Sequence, residues 1–184
     1  MLEITEYKYY LQVIADIIGK EMQLMPDTGS TDVCANRVFI GEQNAVLPKE
    51  RGIIVILTEA PGKVISNKNT TQENTDDPLN PFFEETSALI MQKEVTIEIM
   101  SRSNEALVRK EEILMALMST YSESMQEKYE FQIARHSTSF IDTSAAEMPA
   151  NMYRYTMSIM CTVSFEKSKA IEYYDDFDYN TITN

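Results

Sequence analysis

Catalysis and metal binding most often rest on histidine, cysteine or clustered carboxylates, and this chain is poor in the first two. It has one histidine, His136, and two cysteines, Cys34 and Cys161. A nucleophile–histidine–acid relay needs a base that is held by an acid and seated beside the nucleophile. His136 stands in Arg135-His136-Ser137-Thr138, a polar run that reads as a surface turn. Cys161 falls on the apolar side of an alternating stretch, the place of a small core residue. Cys34 falls in a loop, where Arg37 is the one nearby cation that could lower its thiol pKa. The two cysteines match no metal-ligand spacing, and two free thiols in a reducing compartment are expected. The carboxylate clusters are Glu84-Glu85, Asp76-Asp77 and the group Asp175, Asp176 and Asp178. The last could in principle ligate Mg²⁺ or Ca²⁺. It lacks the glycine and the distal glutamate of a calcium loop and reads as a solvated acidic tail. The five glycines are spaced so as to form no phosphate-binding loop. No catalytic residue, metal site or cofactor is therefore expected, and the chain reads as a structural subunit rather than an enzyme.

Composition narrows the classes further. Of 184 residues, 43% are hydrophobic, enough for a core in a chain of this length. Lys and Arg total 16 and Asp and Glu 29, for a formal net charge of -13. Nucleic-acid binding depends on cationic side chains displacing condensed counterions. The nearest approach to a basic run, Arg109-Lys110, is followed at once by Glu111-Glu112. Sequence-reading DNA binding is not expected. The start Met1-Leu2-Glu3-Ile4 has no basic and apolar leader pattern. Apolar runs such as Ile53 to Leu57 are too short to cross a bilayer. No membrane partner is expected.

The elements follow from periodicity. Tyr7, Tyr10, Leu11, Ile14, Ile17 and Ile18 recur at three- and four-residue steps, which predicts an amphipathic helix from about Thr5 to Leu24 with its apolar stripe facing a core. Thr5 suits its start and Pro26 and Gly29 its end. After a loop from Pro26 to Asn36 and a short extended piece from Arg37 to Gly41, Gly52 to Glu59 reads as a buried strand. Ala60 to about Ser87, rich in Asn, Thr, Asp and Pro, reads as an irregular arm between two paired strands. Asn67, Asn69, Asp76, Asp77, Phe82 and Phe83 in it are candidate subunit or partner contacts. Leu89 to Met100 returns as a strand. A second helix is expected to be capped by Ser103, with Leu107, Leu114, Leu117, Met118 and Tyr121 as its apolar stripe and Arg109, Lys110, Glu111 and Glu112 solvated. Ser122 to Lys128 reads as a short helical turn, and Tyr129 to Arg135 and Ser139 to Asp142 as short strands. From Tyr153 to Phe165, apolar odd positions alternate with largely hydroxylic even ones, the pattern of a long strand. Glu172 to Asn184 is acidic and tyrosine-bearing; Tyr173, Tyr174 and Phe177 are further candidate contacts of a tail ordered only against a partner. Together these predict an α+β fold, a two-layer sandwich of a mostly antiparallel sheet with two main helices. The expected organisation is one domain over residues 1–170, with the arm at about 60–87, and a tail over 171–184.

From Arg37 onward, one ordered series of segments resembles a known family. Val38-Phe39-Ile40-Gly41-Glu42-Gln43-Asn44-Ala45, then Leu47-Pro48 and the strand from Gly52 to Glu59, are similar to the opening of the neck and tail terminator proteins of long-tailed bacteriophages. An arm, a strand like Glu94 to Met100, a helix rich in Ala and Leu ending near Tyr121, and a closing strand led by Tyr153-Arg154-Tyr155 continue the likeness. The long polar arm and the acidic tail depart from the family pattern. The resemblance implies a structural virion protein: a homo-oligomeric ring, commonly a hexamer, that caps the tail tube and joins it to the head. Its implied partners are the head-side connector or stopper protein and the major tail tube protein, with DNA passing the lumen unbound. The implied location is the host cytoplasm during assembly and then the head–tail junction of the virion. An acidic lumen would let the DNA backbone slide. The competing readings are another head–tail connector or a tail tube subunit, and, in a different class, an acidic DNA mimic that inhibits a nucleic-acid-binding enzyme. A carboxylate-based metal hydrolase comes last, for want of a histidine or a paired-carboxylate spacing.

Overall fold

The computed structural model describes residues 9–24, 37–41, 52–74, 82–134, 139–144 and 152–171. Its elements are α1 (Tyr10–Glu21), β1 (Val38–Ile40), β2 (Ile53–Glu59), β3 (Lys63–Asn74), β4 (Phe82–Ser101), α2 (Glu105–Leu117), α3 (Thr120–Lys128), β5 (Phe131–Ile133), β6 (Ile141–Asp142) and β7 (Tyr153–Ile171). The strands form one seven-stranded sheet in the order β1-β2-β4-β7-β5, with β3 also pairing β4 and β6 also pairing β7. β1 runs parallel to β2, while the β2·β4, β5·β7 and β6·β7 pairs are antiparallel. The α+β class read from the sequence is therefore correct. Among the described residues no helix is long and apolar enough to cross a membrane.

The chain divides into two compact units: Met1–Lys63 with Met91–Val163, and Val64–Ile90 with Ser164–Asn184. The first holds the helices. The α1 stripe is as expected: Tyr10, Leu11, Ile14, Ile17 and Ile18 are buried, joined by Val13 and Ala15, and Gln12, Lys20 and Glu21 are exposed. Thr5, Tyr7, Pro26 and Gly29 lie outside the described residues. The described end of α1 stops itself. Gln23 takes a left-handed backbone (φ 55), its N–H bonds to the Lys20 carbonyl, and the Leu24 N–H reaches back to the Gly19 carbonyl. That is the paired C-terminal bond pattern of a Schellman motif, made with glutamine where glycine is usual.

In this unit α1 lies over the odd-numbered face of the strands. Val55, Leu57, Val95, Ile97, Ile99 and Cys161 are wholly buried there, and the Tyr10 ring of α1 meets Phe131 of β5 at 6.3 Å. The even-numbered positions of β7, from Thr156 to Thr162, are only half-buried. Strand alternation and a one-sided helix layer thus produce the two layers. Entry into β2 requires Gly52. Its φ is +149, a backbone that side-chain-bearing residues rarely adopt.

Three expectations need correction. First, the described residues between 60 and 87 are largely strand: β3 occupies Lys63–Asn74, and β4 begins at Phe82 rather than Leu89. Polar β3 is a strand because it pairs with β4 through its backbone, which asks nothing of side-chain hydropathy. Second, the helical region after β4 is two helices. Ser119 takes an extended backbone, its Oγ accepts the Ser122 N–H at 3.1 Å, and α3 starts afresh. Third, the inner face of α2 is different from the predicted stripe. Ala106, Ile113, Ala116 and Leu117 are buried, whereas Leu107 and Met118 are exposed. The residue flanking the helix is Asn104, with no side-chain cap bond, and Ser103 instead donates its N–H to Ser101 Oγ at 3.2 Å. Nor are Arg109 and Lys110 simply solvated. Arg109 Nη2 donates to the Met22 carbonyl at the end of α1, at 2.9 Å, and its guanidinium pairs with Glu112. The Lys110 ammonium stands 4.7 Å from the centre of the Tyr155 ring.

Candidate subunit interface

The second unit contains β3 from Val64, the first half of β4 and the last residues of β7. No described helix belongs to it. β3 residues from Lys63 to Gln72 are exposed, β4 residues from Phe83 to Leu89 are half-buried, and β7 residues from Glu166 to Ala170 are exposed. Solvent thus reaches β3 and the end of β7 more than it reaches β4. A sheet face left in water contributes little burial, so the strands are held mainly by backbone pairing. Among the described residues β3 pairs only with β4, and the pairings of β7 with β5 and β6 end at Val163. Unpaired N–H and C=O groups along such edges are a template for another strand.

β4 and β7 cross-link through side chains within this unit. Thr86 Oγ1 and Ser168 Oγ are 3.1 Å apart. In the first unit Glu98 of β4 pairs with Arg154 of β7. Rising numbers on β4 meet falling numbers on β7, so the two strands are antiparallel.

Of the residues singled out from the sequence, Asn67 and Asn69 lie on exposed β3. Phe82 opens β4, its side chain falling outside what is described, and Phe83 follows it half-buried. Asp76, Asp77, Tyr173, Tyr174 and Phe177 lie outside the described residues, as do Cys34, His136 and the acidic group Asp175, Asp176 and Asp178. The structure thus brings Asn67, Asn69, Phe82 and Phe83 into one ribbon. Missing from the sequence-derived set were Val64, Ile65 and Ile90, which are exposed. The pair Val64-Ile65 within a polar run was the available signal.

The chemistry-bearing side chains are placed as follows. Glu84 and Glu85 are neighbours on one strand and point to opposite faces, which separates the carboxylates. Cys161 is fully buried, and burial, followed by the charge of Glu59, pushes its thiol up to about 12. A thiol so shifted is not a nucleophile near neutral pH. Among the described residues no group of three His, Cys, Asp or Glu side chains could hold a metal ion. A cleft of about 310 Å³ in the first unit is lined by Tyr9, Leu11, Ile40, Leu57, Thr58 and Glu59, among others. Its carboxylate is already engaged: Tyr9 Oη donates to Glu59, and the Lys93 ammonium pairs with it. Burial alone would raise the Glu59 pKa; the bonds from Lys93 and Tyr9 and the Lys93 charge outweigh that and hold it below the ordinary value.

No protein-family model matches this sequence, and no curated protein matches it.

Proposed function

We propose that this chain is a ring-forming structural subunit of the bacteriophage head–tail junction, a tail terminator that caps the tail tube and joins it to the neck. The observation that carries the reading is the second unit: among the described residues it is a ribbon of strands with no helix, exposed along β3 and along the end of β7. A lone ribbon gains little from its own burial, so its formation is best accounted for by neighbours that cover it. Repetition of one heterologous contact closes a ring when the rotation allows. The segments around Val38 to Ala45, Glu94 to Met100 and Tyr153 to Tyr155 supply the likeness to terminator proteins. The net charge of -13 suits a conduit that DNA slides through more than a surface that holds it.

Native mass spectrometry of the purified chain tests this directly. Rings, most simply hexamers, are expected at micromolar concentration, together with binding to the major tail tube protein. A chain that stays monomeric or dimeric and binds a nuclease instead would replace this reading with the acidic DNA mimic.

A further inference from the structure

We draw no further inference here: the strongest candidate, the patch of exposed apolar side chains on α2 and its end (Leu107, Val108, Met115 and Met118), carries none because nothing in the structure shows what covers it.

Discussion

β4 and β7 each belong to both units, and the same two strands behave differently in each. In the first unit their odd positions vanish from solvent: Val95, Ile97, Ile99 and Cys161 are wholly buried, and Tyr155, Met157, Ile159 and Val163 nearly so. In the second unit Phe83, Leu89 and Phe165 occupy the same parity and remain half-buried. The residues are no less apolar, and the strands do not end. What differs is the helix layer, which is described only in the first unit. Alternation in a strand specifies a face to be covered; whether the cover comes from the same chain is a separate matter.

The sharpest way to break this comparison is truncation at matched positions. Ile97→Ala should cost about 3–4 kcal/mol, the transfer term plus a cavity that a fully enclosed site cannot collapse. Leu89→Ala, on a face still open to solvent, should cost under about 1 kcal/mol in the monomer. Urea denaturation of both variants measures the difference. Equal losses would mean that the second unit is as well packed as the first.

Acid should affect the first unit through Glu59. Its folded pKa lies below the ordinary carboxylate value of 4.5. The stabilisation is therefore fully present above that value and is lost as pH falls through the folded pKa. Glu59→Gln should flatten the fall in melting temperature below about pH 4.5, because the amide has no proton to gain. A melting curve whose acid limb is unchanged by Glu59→Gln would remove this carboxylate from the account.

The smallest effect belongs to the end of α1. Gln23 holds a left-handed backbone that costs a side-chain-bearing residue about 1 kcal/mol more than glycine. Gln23→Gly should raise stability by somewhat less than that, since glycine loses more freedom on folding. A thermal melt shows it as a rise of a few degrees at most.

Much of the first unit was legible because its elements obey one period each. The α1 stripe of Tyr10, Leu11, Ile14, Ile17 and Ile18, and the alternation from Tyr155 to Val163, could be read directly, and both are buried as expected. α2 was misread because side-chain size was mistaken for burial. Its inner face uses Ala106 and Ala116, small residues that let a helix approach its neighbours closely, while the larger Leu107 and Met118 are turned outward. The ribbon was misread for the opposite reason. Asn67, Asn69, Thr70 and Thr71 lie in a strand with no covered face, so no alternation marks them. Asn67, Asn69, Phe82 and Phe83 were read as part of an irregular arm; they lie in β3 and β4, and neither that strand character nor the apolar Val64 and Ile65 was read from the sequence. Of the stripe read for α2, Leu107 and Met118 were assigned to the wrong side, while Leu117 is buried as expected.

The continuity of β4 also has a mechanical meaning. Twenty residues form one unbroken strand, and its register with β2 runs from Ile53↔Ser101 to Glu59↔Val95. Tension applied to the chain at Phe82 would be carried along the strand axis into that ladder. The bonds to β2 would then be loaded together, in shear, rather than peeled open one after another. The pairs so loaded include Val55↔Ile99 and Leu57↔Ile97, whose four side chains are wholly buried.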